Sequence, residues 1–248
     1  MNAIQYFDAP EGQRLAHLLH RGDGPAFVFL PGYKSDMSGS KAQAVLGFAQ
    51  ERGRGCLLLD YSGCGLSSGD FADGTLSSWR GEVLALIDHT GLDKVVLVGS
   101  SMGGWLMLLL AEALGHRAAA LVGIAAAPDF TEWGTSQADK ARLAAGETVF
   151  EDNPYGPDPT PTHPAFWADG QAQRLLAGEV RFTGPVRLLH GQADADVPWE
   201  ISLRLAAALR SDDVQVTLIK DGDHRLSRGE DIALLLRTLA ALPLEPSR

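Results

Sequence analysis

Gly99-Ser100-Ser101-Met102-Gly103 is the stretch on which the reading of this chain turns. It follows the β-branched run Lys94-Val95-Val96-Leu97-Val98 and precedes an apolar helical pattern from Gly104 to Leu114. Strand, Gly-x-Ser-x-Gly, helix is the setting of a nucleophile elbow, in which the middle residue, here Ser101, sits at the tip of a sharp, strained turn. Small residues two positions to either side let strand and helix approach closely enough to hold it there. A glycine-rich turn with an incidental serine is the alternative, and it leaves the flanking strand and helix patterns unexplained.

The same alternation continues outward. Apolar runs at 26–30, 56–59, 95–98, 119–124, 186–189 and 214–219 have the length and composition of strands in a buried sheet. Helical periodicity falls at 41–52, 76–90, 104–114, 199–210 and 230–241; Ser38 or Ser40 is a candidate cap for the first and Gly91 the stop of the second. Ahead of these, 4–7 and 14–19 flank the turn sequence Ala9-Pro10-Glu11-Gly12. The expected fold class is α/β: a mostly parallel twisted sheet with antiparallel strands at one edge and helices on both faces.

One segment breaks the pattern. Residues 128–183 carry prolines at 154, 157, 159, 161 and 164 and the aromatics Phe130, Trp133, Phe150, Tyr155, Phe166 and Trp167, with short helical patterns at 136–145 and 171–177. The aromatics favour packing over disorder, and a long irregular insertion is usually a lid or binding loop. The expected organisation is a core of residues 1–127 and 184–248 with a small cap, 128–183, inserted over the strand ends.

With 248 residues, 45% of them apolar, the chain can bury the core of one domain with an insertion. Its net charge of −10 argues against a nucleic-acid backbone or an anionic membrane surface as partner. The two cysteines, Cys56 in an apolar run and Cys64 in a glycine-rich loop, suggest no disulfide framework. The stretch Met1-Asn2-Ala3-Ile4-Gln5-Tyr6 has no basic region followed by an apolar one, and the longest apolar run, 105–111, is too short to span a bilayer. These features lead to the expectation of a cytoplasmic protein without stable membrane association. The histidines are scattered and no cysteine pairs with them, so no metal site is expected. The glycine-rich stretch 60–69 lacks the glycine spacing and the lysine of a phosphate-binding loop, so no cofactor is expected either.

A serine hydroxyl is a weak nucleophile and needs a base, which in turn needs an orienting group. After a Gly-x-Ser-x-Gly elbow these follow in the order acid, then histidine. His190-Gly191-Gln192-Ala193-Asp194 directly follows the strand at 186–189, and Asp223-His224 follows the strand at 214–219. Loops at the carboxyl ends of parallel strands converge on one crevice. The expected roles are Ser101 as nucleophile, His224 as general base and then acid, and Asp194 as the group that orients the imidazole. Asp196 competes for the last role but stands farther from the strand, where it suits facing water or capping the helix opened by Pro198-Trp199. His190 reads as structural. Attack on a carbonyl creates an oxyanion that needs backbone donors. The N–H of Met102 and that of Tyr33, in Pro31-Gly32-Tyr33-Lys34, are the candidates. Trp105, Trp199, Phe130 and Trp133 are candidate substrate-binding residues lining an apolar acyl pocket, although each is also an ordinary core side chain.

Together, Leu30-Pro31-Gly32-Tyr33, Asp60-Tyr61-Ser62-Gly63-Cys64-Gly65, the 99–107 stretch, Leu188-Leu189-His190-Gly191, Asp194, Val197-Pro198-Trp199 and Asp223-His224-Arg225 resemble the α/β-hydrolase superfamily over nearly all of the chain outside the cap. Within it they resemble the abhydrolase domain-containing protein ten branch, known for a mitochondrial S-depalmitoylase and acyl-glucuronide esterase. The resemblance implies hydrolysis of a small-molecule carboxylic ester or thioester through an acyl-enzyme, with Ser101, Asp194 and His224 as the triad. The chain departs from that branch in the cap run Asn153-Pro154-Tyr155-Gly156-Pro157. It also shows no mitochondrial transit sequence, which directs the expectation to a bacterial cytoplasmic enzyme. The same fold serves C–C bond hydrolases and perhydrolases with a serine triad, and non-catalytic ligand receptors.

Overall fold

The computed structural model describes residues 3–153 and 156–244; Pro154 and Tyr155, counted above in the cap, lie outside the described residues. The chain runs β1 (Gln5–Asp8), β2 (Arg14–His20), β3 (Asp23–Leu30), α1 (Ser40–Glu51), β4 (Arg54–Leu59), α2 (Leu76–Thr90), β5 (Val95–Ser100) and α3 (Met102–Leu114). It continues through β6 (Ala118–Ile124), α4 (Phe130–Trp133), α5 (Gln137–Ala144), β7 (Val149–Glu151), β8 (Thr160–Thr162), α6 (Pro164–Ala172), β9 (Val186–Gly191), α7 (Glu200–Ala208), β10 (Val214–Ile219) and α8 (Gly229–Ala240).

Among the described residues, eight strands form one sheet in the order β1-β2-β4-β3-β5-β6-β9-β10. β2 pairs antiparallel with both β1 and β4, and every pair from β4 to β10 is parallel. From β3 the chain winds out to β4, then returns past β3 to form β5 on its other side. That reversal opens a crevice beyond the carboxyl ends of β3 and β5, where ligands bind in sheets of this kind.

The two-residue period of the strands sorts side chains between two cores. Val28, Leu30, Leu57, Leu59 and Leu97 face α2, α3 and α7, whereas Phe27, Phe29, Cys56, Leu58, Val96 and Val98 face α1 and α8. Burial on both faces explains why these strands read as continuous apolar runs. Helix α2 begins on a capping box between Thr75 and Ser78, a cap worth about 1 kcal/mol. Neither Ser38 nor Ser40 caps α1: Gly39 occupies the cap position without a side-chain bond, and the Ser38 hydroxyl is drawn to Asp36 Oδ1 at 2.5 Å.

Within residues 128–183, the helix expected at 171–177 lies instead at Pro164–Ala172. Pro164 suits the first helical turn, and the backbone N–H groups of Leu175 and Leu176 are captured by the Asp129 carboxylate at 2.8 Å each. A short antiparallel pair, β7 with β8, was not apparent in the sequence. The segment is tied down at several points. Asp169 accepts from the Ser77 N–H (2.9 Å) and hydroxyl (2.6 Å), and the Trp105 indole N–H donates to the Gln173 carbonyl at 3.1 Å. Phe166, 1% exposed, lies inside the main core cluster.

Because Phe166 is core rather than surface, Phe166→Ala should destabilise the whole protein by about 3–5 kcal/mol. A shifted urea midpoint with an unchanged single transition is the expected observation; wild-type stability would mean the inserted segment packs independently.

Candidate active site

Ser101 occupies a positive-φ conformation (φ 54, ψ −120) at the junction of β5 and α3. Such backbone strain costs on the order of 1–3 kcal/mol and persists only where the surroundings enforce it. Here they do so through hydrogen bonds. The Ser101 N–H donates to the Ile124 carbonyl at 2.9 Å, and the Ser101 carbonyl accepts from Gly104 (2.8 Å) and Ala127 (3.1 Å). A Cβ at Gly99 would fall 2.3 Å from the Gly103 carbonyl oxygen, and one at Gly103 would fall 2.1 Å from that of Leu30. Strand, helix and the end of β3 therefore meet backbone against backbone.

The loops after β9 and β10 bring up the other two groups. They run pressed together: Ala193 N–H donates to the Gly222 carbonyl at 2.9 Å, and a Cβ at Gly191 would fall 2.1 Å from the same oxygen. His224 Nε2 lies 3.1 Å from Ser101 Oγ, and His224 Nδ1 lies 2.9 Å from Asp194 Oδ2. A proton on Nδ1 directed at the carboxylate leaves the Nε2 lone pair to accept the serine hydroxyl. The other Asp194 oxygen accepts the N–H groups of Asp196 (2.9 Å) and Val197 (2.8 Å). Burial alone would push the Asp194 carboxyl up; the donors from His190, His224 and Val197 outweigh it and hold the group well below the usual carboxylate range. The donors therefore favour the ionised carboxylate.

Of the two acids weighed in the sequence, Asp194 makes the imidazole contact, while Asp196 is exposed and lines the cleft. Asp194, Asp196 and His224 offer ligand atoms within 4.8 Å of one another. Both Asp194 oxygens are already engaged by hydrogen-bond donors, so this set suits a proton relay better than a cation. His190 proves more closely involved than its reading as structural suggested, with Nε2 at 3.2 Å from Asp194 Oδ2. The His-Gly-x-x-Asp spacing was the available signal.

Met102 begins α3, where no intrahelical carbonyl takes its N–H. Tyr33 follows Gly32, whose added Cβ would touch Ser101 Cβ at 3.4 Å, so the loop after β3 runs along the serine. The Tyr33 ring is held against Phe166 (4.6 Å between centroids) and Phe71 (4.9 Å), which fixes that loop.

These groups open on a cleft of about 570 Å³. Tyr33, Met102, Phe130 and Trp133 line it. Trp105 and Trp199 do not. Trp105 is fully buried in the core, covered by Phe130, Gly170 and the Gln173 carbonyl of the segment that follows β6. Trp199 sits half-buried at the start of α7, outside the cleft. Sequence reasoning missed two parts of the wall, the β7–β8 pair, which contributes Glu151, Thr160 and Thr162, and Lys41. The Lys41 ammonium donates to the Arg225 carbonyl, beside His224; burial and the Arg225 charge lower it to about 8. Nothing local in the sequence links Lys41 to a loop 184 residues away. Both cysteines are buried, and burial pushes each thiol up to about 12, which makes them inert.

Residues 25–145 match the family model described as alpha/beta hydrolase fold. Over 96% of its length the chain is 38% identical to the mouse (Mus musculus) palmitoyl-protein thioesterase ABHD10, mitochondrial, covering 81% of that protein. Against the human (Homo sapiens) counterpart the identity is 35%, over 96% of this chain and 79% of that one. Among solved structures, a putative hydrolase from Agrobacterium vitis superposes with a TM-score of 0.90 at 38% identity, covering 97% of this chain and 98% of that one. The mouse ABHD10 structure gives 0.89 at 36%, covering 96% and 97%. The chain belongs to the α/β-hydrolase family, in the group that contains ABHD10. It is an enzyme, a hydrolase.

These relatives also correct one expectation. The mouse and human proteins are named as mitochondrial, which overturns the reading of a cytoplasmic protein. Cellular address is not written into a folded hydrolase domain, and neither the cysteine usage nor the short apolar runs that prompted the reading carry information on compartment. Among the described residues, no helix is long and apolar enough to cross a membrane.

The backbone contacts at the elbow give a paired test. Gly103→Ala drives a methyl into the Leu30 carbonyl and should abolish stable folding. Gly47→Ala, in the middle of α1 with nothing within 4 Å of the added Cβ, should stabilise by about 0.5–1 kcal/mol. Thermal melts of the two variants measure both, and a Gly103→Ala protein that melts like wild type would show that the elbow tolerates a side chain.

Proposed function

We propose that this hydrolase cleaves carboxylic esters or thioesters through an acyl-enzyme on Ser101. The observation that carries the reading is the continuous relay from Ser101 Oγ through His224 to the Asp194 carboxylate, opening on the cleft. In the first half-reaction Ser101 Oγ attacks the carbonyl carbon while His224 Nε2 takes the hydroxyl proton. The oxyanion forms between the N–H of Met102 and that of Tyr33. Its collapse breaks the bond to the alcohol or thiol, which leaves with the proton from His224. Water, deprotonated by the same imidazole, then attacks the acyl-serine and releases the carboxylic acid.

Segment 128–183 serves as the cap in this reading, with Phe130 and Trp133 facing the acyl chain. The names of the mouse and human relatives, palmitoyl-protein thioesterases, support a long acyl thioester as one substrate class. The net charge of −10 supports a substrate other than a nucleic acid or an anionic membrane.

Hydrolysis of p-nitrophenyl esters from acetate to palmitate, and of palmitoyl thioesters, tests the proposal directly. Ser101→Ala should lower kcat by about 10³-fold or more, and a fluorophosphonate probe should label the wild type at Ser101 alone. A Ser101→Ala protein with full activity would sink the mechanism. An absence of labelling in folded wild type would point to a ligand-binding protein on this fold.

A further inference from the structure

We propose that His190 is a positioning residue for the reaction: protonated at Nε2 by the demand of the Val197 carbonyl and seated by Ser202, its imidazole fixes the Asp194 carboxylate in the orientation that serves His224. The proposal rests on the triad assignment above and extends it to a second imidazole on the far side of the same oxygen.

His190, the penultimate residue of β9, is 0% exposed, and Ser202, on α7, is 1% exposed. His190 Nε2 lies 3.1 Å from the Val197 carbonyl oxygen and 3.2 Å from Asp194 Oδ2. A carbonyl and a carboxylate can only accept, so Nε2 carries the proton; its N–H serves the Val197 carbonyl and places the positive edge of the ring beside the carboxylate. Nδ1 lies 2.7 Å from Ser202 Oγ, and in the neutral ring it accepts the serine hydroxyl proton. The opposite neutral tautomer would set the Nε2 lone pair against two oxygens, whereas the Ser202 hydroxyl, able to donate or accept, suits either state of Nδ1. The contacts therefore require a proton on Nε2, which is how outer partners determine what an imidazole presents to its neighbour.

The consequence falls on Asp194. Its Oδ1 is held by the N–H groups of Asp196 and Val197, and its Oδ2 stands between His190 and His224. Three hydrogen-bond donors and the adjacent His190 ring fix the plane of the carboxylate, and rotation about its Cβ–Cγ bond would break contacts at both oxygens. Val197 appears twice: its carbonyl anchors His190 and its amide anchors Asp194. The His190 ring and the Asp194 carboxylate are thus braced on the same peptide segment, so displacement of one is transmitted to the other. Since Asp194 is what aligns His224, and a misplacement of about 1 Å costs on the order of 10²-fold in rate, the brace bears on kcat and not on substrate binding.

The test compares His190→Leu, His190→Gln and Ser202→Ala with the wild type. His190→Leu should lower kcat about 10–100-fold with KM unchanged. His190→Gln places an amide N–H near the Nε2 position and should recover most of that loss; Ser202→Ala should show a smaller fall in kcat. A second measurement does not depend on turnover: the downfield proton resonance of the His224 Nδ1–H shared with Asp194 should shift or broaden in His190→Leu and return in His190→Gln. Wild-type kcat in folded His190→Leu would overturn the proposal, as would a Gln variant no better than Leu, since the loss would then be one of packing. If His190→Leu fails to fold, Ser202→Ala decides: wild-type kcat with an unmoved downfield proton overturns the brace. Retained activity in Ser101→Ala would instead remove the triad reading, which the proton resonance in the His190 series distinguishes.

Discussion

The architecture depends on one steric constraint, the backbone-to-backbone contact of β5, α3 and the end of β3 at Ser101. A serine at φ 54 is disfavoured on its own. It is kept there because Gly99 and Gly103 leave no space for the chain to relax, their missing Cβ atoms standing 2.3 and 2.1 Å from carbonyl oxygens. The same contact brings the Gly32–Tyr33 peptide alongside the serine and aims the N-terminus of α3 at it. Nucleophile and candidate oxyanion donors are therefore products of a single packing event, and sheet order places that event at the crevice.

The acid and base reach the crevice by a second, separate device. β9 and β10 are parallel neighbours in register from Val186↔Val214 to Gly191↔Ile219, so their following loops emerge side by side. The close approach of Gly191 to Gly222 locks them together. Asp194 and His224 are 30 residues apart in the chain, yet they sit at equivalent places beyond adjacent strands. That arrangement lets a hydrogen-bond relay form without either loop making a long excursion across the surface.

This division explains which parts were legible in the sequence. Ser101, Asp194 and His224 each follow a strand end directly, and strand ends are announced locally by an apolar run stopping at glycine or aspartate. The structure brings all three together. Trp105 and Trp199 fell outside the cleft because the face on which a tryptophan lands is decided by what packs over it. In the case of Trp105 that is a segment whose own helix, Pro164–Ala172, was misplaced by several residues. The misplacement has a physical cause: Asp129 pulls the Leu175 and Leu176 amides out of helical bonding from more than 40 residues away. Lys41 and the β7–β8 wall depend on similarly remote partners. Compartment lies outside fold physics altogether, and there the relatives corrected the reading.

Substrate choice under the proposed mechanism follows from the contrast between the two kinds of wall. The protein is acidic overall, but the cleft carries Lys34, Lys41 and Arg225 together with Asp36, Glu151, Asp152 and Asp196. Salt screens these charges beyond a Debye length of about 8 Å, so they do little to select among neutral esters and thioesters. Discrimination is left to shape and apolar contact. Phe130 and Trp133 supply that contact from α4, a single turn that is not free to drift. The adjoining Asp129 carboxylate bonds the returning chain at Leu175 and Leu176, Phe130 stacks edge-on against Trp105 at 5.7 Å, and the Trp133 indole N–H donates to the Pro128 carbonyl at 2.7 Å. A rigid apolar wall offers each additional buried methylene of an acyl chain about 0.8 kcal/mol without the entropic cost of ordering a mobile lid. In that mechanism the preference for acyl length follows from where the wall of Phe130 and Trp133 ends.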